Sequence, residues 1–234
     1  MTPLREGMTQ HRHQGMPTTD FIVEQAKGST PNVMLLLAHG AGAPMDSDYL
    51  QTLTGLLAMK GVTVARFEFD YMAQRRNGGK RRPPPKLDVL IAEYRGAVAE
   101  LQTCYPHTPL LIGGKSMGGR VASMIADEMY RDNAVKGCVC FGYPFHPVKR
   151  PLALRTAHLV ALRCPTLIVQ GDRDPFGTRD DIANLRLSDA VAIGWIADGD
   201  HDFKPRAASS LTHAQNLEAA AACVAAWAEA RLTD

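Results

Sequence analysis

The 234-residue sequence predicts an α/β fold in which a mostly parallel sheet of about six or seven strands carries helices on both faces. Three observations point to it. Short apolar runs recur at 33–38, 62–69, 110–112, 135–141, 166–169 and 191–196, most of them bounded by Gly, Pro or Asp. The run at 33–38 is continuous rather than alternating, the pattern of a strand buried on both faces, and the later runs are similar. Between them, apolar residues repeat at helical spacing, and an alternation of strand and helix is what parallel pairing with crossover helices requires.

Taken in order, a weaker segment at 21–25 adds an edge strand, and 33–38 is the first fully apolar one, ending at His39-Gly40. Tyr49, Leu53, Leu56 and Leu57 form the first helical stripe. After the strand at 62–69, Leu87, Leu90, Ile91, Tyr94, Val98 and Leu101 form the second. Val121, Met124 and Ile125 continue the theme beyond 110–112, and Leu217, Ala220, Ala221, Val224 and Trp227 close the chain on one stripe. The expected organisation is a flexible segment at 1–20 followed by one domain at 21–234.

Composition narrows the function. A net charge of +2 calls for no polyanionic partner, so nucleic acid is not expected. Residues 1–20 lack the apolar stretch of a secretory signal, and no uninterrupted apolar run reaches the roughly 18 residues of a membrane span. The five cysteines contain no C-x-x-C pair and read as core thiols, so no metal site is expected and a reducing, cytoplasmic setting follows. The segment 75–86 holds six Lys and Arg residues, a Gly pair and three prolines without an acid. It reads as a solvated loop, with an anion-binding or lid role as the alternative.

The chemistry lies in Gly114-Lys115-Ser116-Met117-Gly118, a G-x-S-x-G pattern between a strand and a helix. A serine on so sharp a turn has a strained backbone, and glycines two residues away relieve collisions with the neighbouring strand and helix. The embedded Gly-Lys-Ser is no phosphate-binding loop, because the glycine required five residues before Gly114 is Pro109. Ser116 needs a histidine to accept its proton and a carboxylate to orient that histidine. His201, in the turn-rich loop after the last strand, is the base. Asp174, further into its loop than Asp172, is the orienting acid. The amides of Met117 and Ala41, with Gly42 as the alternative to Ala41, are the oxyanion donors. His39 braces its loop rather than moving protons.

With these motifs in view, the chain resembles the α/β-hydrolase superfamily from about residue 33 onward. His39 to Gly42, the glycine-rich run at 113–119, Phe141 to Pro144 and 171–177 are similar to a dienelactone-hydrolase-like group. That group includes testis-expressed protein 30 and the hydrolase-like domain of subunit 3 of the NSL chromatin complex. The resemblance implies an α/β-hydrolase fold, and 143–163 leaves room for only a minimal cap of one or two short helices. Dienelactone hydrolases use a cysteine where Ser116 stands, which points away from a dienelactone substrate and leaves ester cleavage intact.

The expected function is hydrolysis of a small-molecule carboxylic ester or thioester through an acyl-enzyme, with no cofactor. The alternative is a non-catalytic interaction module. Phe145, Phe176 and Phe203 are candidate pocket walls or ordinary packing. Lys115 either faces the site, favouring anionic substrates, or packs against the sheet. His146 and His158 border the pocket at most, and His107 and His213 read as surface residues.

Overall fold

The computed structural model describes residues 8–11, 19–27, 33–76 and 78–232. Eight strands form one sheet in the order β1-β2-β4-β3-β5-β6-β7-β8. β3 (Val33–Ala38), β4 (Val62–Phe67), β5 (Leu110–Lys115), β6 (Gly137–Phe141), β7 (Thr166–Gly171) and β8 (Val191–Ile196) are parallel. β2 (Phe21–Glu24) pairs antiparallel with β4, and β1 (Met8–His11) with β2. β1 lies within the segment 1–20 expected to be flexible. Residues 1–7 and 12–18 of that segment lie outside the described residues.

The apolar runs become strands because both faces of the sheet are covered. Along β3, Met34, Leu36 and Ala38 face one side with α3 (Leu87–Cys104) and α4 (Met117–Arg131), which pack on each other. Val33, Leu35 and Leu37 face the other, against α1 (Asp48–Met59) and α6 (His213–Leu232). β8 departs from the fully apolar pattern: it is the sheet edge, and of its residues only Ile196 is buried. β5 runs three residues beyond the apolar stretch, through Gly113, Gly114 and Lys115, because it pairs on both sides with β3 and β6. Two short helices, α2 (Asp70–Arg76) and α5 (Arg179–Ala183), escape the periodicity, the latter begun by a Thr178–Asp181 capping box. The β6–β7 connection holds a single 3-10 turn at Ala157–Val160, a smaller cap than the one or two short helices expected.

Topology places the site. From β3 the chain moves to β4 on one side, then returns to β5 on the other, so strand order reverses at β3. In open parallel sheets the crevice at such a reversal, outside the carboxyl ends of the strands, is where ligands bind. Both His39 to Gly42 and Ser116 emerge there.

One buried hydroxyl ties the two central strands to the α3 layer. Tyr94 is fully buried, and its Oη accepts from Gly113 N at 2.8 Å and lies 2.7 Å from Gly113 O and 2.9 Å from Leu36 O. Tyr94→Phe removes the acceptor of Gly113 N and the one hydroxyl proton that the two carbonyls face, which costs about 2 kcal/mol. Thermal denaturation of the variant is expected to show a melting temperature lower by roughly 4–8 °C.

Candidate active site

Ser116 sits between β5 and α4 with φ 51° and ψ −112°, a left-handed conformation that a residue bearing a Cβ adopts at a cost of about 1–3 kcal/mol. Close packing enforces it. A Cβ on Gly114 would stand 2.4 Å from the Gly118 carbonyl carbon, and one on Gly118 would stand 2.6 Å from His39 O and 2.7 Å from Ala38 O. The two glycines thus press α4 onto β5 and β3, leaving the serine to absorb the turn. Its amide donates to Phe141 O at 2.8 Å, and its carbonyl accepts from Arg120 N at 3.0 Å.

Ser116 Oγ lies 2.9 Å from His201 Nε2, and His201 Nδ1 lies 2.8 Å from Asp174 Oδ2. Asp174 is fully buried. Its Oδ2 also accepts from Gln170 Nε2 at 3.0 Å and its Oδ1 from Phe176 N at 2.9 Å. Of the two carboxylates in the loop after β7, Asp174 is therefore the one that meets the imidazole. Asp172 has a buried Oδ1 with no hydrogen-bond partner among the described residues.

The loop bearing His201 is hung from its main-chain carbonyls. Lys115 Nζ donates to His201 O at 2.7 Å, His213 Nε2 meets Asp202 O at 2.8 Å, and Arg173 donates to Asp198 O at 2.8 and 3.1 Å. Asn216 Nδ2 donates to Phe203 O at 2.8 Å and to Ala197 O at 3.1 Å. Within the loop, Asp200 Oδ1 caps the amides of Asp202 and Lys204, both at 2.9 Å. His213, read as a surface residue, is thus half-buried and part of this suspension.

The loop after β3 is held as firmly. His39 Nε2 accepts from Phe69 N at 3.1 Å, so its Nδ1 carries the hydrogen and donates to Gly40 O at 2.6 Å. Burial lowers the His39 pKa and keeps the ring neutral in this tautomer. Because a trans peptide opposes its N–H to its C=O, the bond at Gly40 O turns the Ala41 N–H away from His39. Tyr71 Oη donates to Ala41 O at 3.0 Å, which fixes the next peptide, that of Gly42. Across the crevice, Met117 N belongs to the first turn of α4, whose amides have no intrahelical acceptor.

Two clefts meet at the serine. One, of about 350 Å3, is bordered by Ala41, Gly42, Tyr49, Lys115, Ser116 and His201. The other, of about 370 Å3, is bordered by Ala41, Pro85, Ser116, Met117, Arg120 and Arg155. Phe176 lines both, with its ring 4.5 Å from that of His201. Phe145 and Phe203 do not reach them. Phe145 is fully buried against Tyr143 at 4.9 Å, and Phe203 is fully buried beneath the His201 loop, in the core shared with α1 and α6. Both are packing residues, because loops that cross a sheet edge need apolar side chains underneath them.

Lys115 lines the first cleft, yet its Nζ is committed to His201 O and to Asp202 Oδ1 at 3.2 Å. In the basic segment, Arg76 belongs to α2 and makes bidentate pairs with Asp46 at 2.8 and 2.9 Å and with Glu68 at 2.7 Å, stapling the loop after β3. Arg75 donates to Arg82 O at 2.7 Å. His146 is buried, with Nε2 at 3.6 Å from Asp181, and His107 is exposed. A second serine–histidine contact joins Ser123 Oγ to His158 Nε2 at 2.9 Å. Ser123 is buried within α4 and its hydroxyl donates to Arg120 O at 2.9 Å, so its proton is not directed at the imidazole. Gln170, Arg173, Asn216 and Tyr71 are site supports that the motif reading passed over. The signal available for Gln170 was a polar residue closing a fully apolar strand, where it must find partners.

Two variants test these supports. Lys115→Met leaves His201 O without its charged donor, a loss of about 2 kcal/mol, and amide hydrogen exchange across 198–203 is expected to accelerate. Unchanged exchange there would rule the brace out. Burial brings the His158 pKa from its ordinary 6.5 down to about 4, so between those pH values the unfolded chain binds the extra proton. The stability His158 contributes as a neutral ring is complete at neutral pH and declines as pH falls from 6.5 towards 4. His158→Gln is expected to flatten urea-denaturation stability across that window.

Similarity to known proteins agrees with this geometry. The model of the alpha/beta hydrolase domain family matches residues 31–229. Mouse monoglyceride lipase is 27% identical over 100 residues, and the human enzyme is 28% identical over 99. In each case the match covers 42% of this chain and 31% of the lipase, so the chain spans about a third of those relatives. Among solved structures, dienelactone hydrolase from Anabaena variabilis superposes with a TM-score of 0.69 at 21% identity, covering 95% of this chain and 97% of that one. An α/β serine hydrolase without lid from Xanthomonas campestris gives 0.68 at 15% identity, covering 97% and 98%. These two show the shared fold. No helix among the described residues is long and apolar enough to cross a membrane. With the family model spanning nearly the whole chain and the glycine-flanked serine at its turn, this protein belongs to the alpha/beta hydrolase domain family.

Proposed function

We propose that the chain is a serine hydrolase of carboxylic esters or thioesters, acting through an acyl-enzyme with Ser116 as nucleophile, His201 as base and Asp174 as orienting acid. The observation that carries this reading is the unbroken relay from Ser116 Oγ through both ring nitrogens of His201 to the buried Asp174 carboxylate, at 2.9 and 2.8 Å. His201 Nε2 takes the hydroxyl proton as Oγ attacks the carbonyl carbon. The Asp174 carboxylate accepts Nδ1–H and stabilises the imidazolium that forms. The amides of Met117 and of Ala41 or Gly42 receive the developing oxyanion, and pinned peptides need little reorganisation at that moment. His201 then gives the same proton to the leaving oxygen or sulfur. A water, deprotonated by the same ring, releases the acid and restores Ser116.

Ester chemistry is supported by the likeness to the monoglyceride lipases, and small substrates by the two modest clefts. Within the family, the glycine motifs and the likeness to a dienelactone hydrolase support placement in the dienelactone-hydrolase-like group. The unpaired thiols support a reducing, cytoplasmic setting. The test is covalent labelling with a fluorophosphonate followed by para-nitrophenyl ester kinetics. Wild type is expected to label and Ser116→Ala is not, whereas folded wild-type protein that fails to label would favour an interaction module. Asp174→Asn is expected to lower kcat by about 10^3- to 10^4-fold through the wrong imidazole tautomer, and Asp172→Asn by far less. The reverse ranking would transfer the acid role to Asp172.

A further inference from the structure

The second cleft contains a charge arrangement that ester cleavage alone does not use. Arg120, one residue past the first turn of α4, and Arg155, in the β6–β7 connection, both border it together with Ser116. None of the described lining residues is acidic; the rest are mainly Pro84, Pro85, Leu87, Met117 and Phe176. Arg120 Nε is buried with no hydrogen-bond partner among the described residues. Buried guanidinium nitrogens ordinarily have partners, and two like charges bordering one largely apolar cleft repel each other. Burial and then the Arg120 charge hold the Arg155 pKa below its ordinary value, and the field of Arg120 also disfavours protonation of His158.

The contrast with the other cations near the site is chemical. Lys115 is answered by a carbonyl and by Asp202, and Arg76 by Asp46 and Glu68. The anion preference that the sequence suggested for Lys115 therefore falls on a cation that is already answered, as is Arg76 of the 75–86 segment. Arg120 and Arg155 instead share a cleft with no acidic residue in its described lining.

We propose that Arg120 and Arg155 form an anion subsite beside Ser116, and that the preferred substrates are esters carrying a second, anionic oxygen group, of which a carboxylate is the simplest. This rests on the serine-hydrolase reading for its reaction and on the cleft alone for its binding. Planar forks of N–H donors match a carboxylate or phosphate, and apolar walls strengthen the attraction. With the anion seated there, the scissile carbonyl is drawn to the serine at the mouth of the same cleft.

The test uses matched pairs of substrates: the para-nitrophenyl hemiester of glutarate against its methyl-capped diester, and meta-acetoxybenzoate against its methyl ester. The first pair places the charge on the acyl side and the second on the alcohol side. In at least one pair the wild type is expected to favour the anionic member in kcat/KM by about tenfold or more, with the preference shrinking as salt is raised. Arg155→Gln and Arg120→Gln are each expected to lower the anionic-to-neutral ratio by about tenfold, with Arg155→Lys retaining part of it. Arg155 lies in a loop, so its substitution keeps the test open should the Arg120 variant fail to fold. A wild-type ratio near one in both pairs, or a ratio that neither variant moves, overturns the subsite. Should wild type cleave no ester at all, the hydrolase reading fails separately, and calorimetric titration of glutarate and of inorganic phosphate decides the subsite. Saturable binding lost in Arg155→Gln upholds it, and no binding of either anion removes it.

Discussion

A single strained residue organises this crevice. Ser116 occupies a left-handed backbone conformation because α4 is pressed onto β3 and β5 more tightly than any side chain at 114 or 118 would permit. The sheet supplies the energy that holds it there, since both faces of β5 are buried and its main chain is bonded to β3 and β6. Once the serine is lifted above the strand end, everything else in the site is a matter of bringing other loops to that same edge. Parallel pairing does this without further design, because the chain leaves β3, β5, β7 and β8 in one direction.

Each arriving loop is then immobilised through its main chain. The His201 loop hangs from Lys115, Arg173, His213 and Asn216, and the loop after β3 from His39, Tyr71 and the Arg76 pairs. Asp174 is fixed by Gln170 and by the Phe176 amide rather than by a cation. Polar side chains taken from strand ends and helices thus define the positions of the groups at the crevice. This arrangement explains why a turn-rich segment such as 197–203 presents one defined imidazole.

Much of this was legible in the residues. Five of the six apolar runs gave parallel strands because a doubly buried strand has no choice but to be apolar, and the sixth, at 191–196, became the edge strand β8 with only Ile196 buried. The elbow, Asp174 and His201 were legible because each follows such a run within a turn-forming segment. What escaped depended on distance in space. β1 has no apolar run to announce it, and Phe145 and Phe203 have the composition of pocket walls but the burial of core residues, a distinction decided by how their loops fold over. Lys115 reads as a free charge in sequence, since nothing nearby in the chain reveals that the His201 carbonyl will stand above it.

The two clefts that join at Ser116 have a kinetic meaning in the acyl-transfer reading. One arm can release the first product while the other still retains the acyl group. The vacated arm then stands open to water and to any hydroxyl compound small enough to enter, so hydrolysis and transfer to another alcohol draw on one shared intermediate. Which prevails is set by what occupies the empty arm, a partition governed by solution composition rather than by the nucleophile.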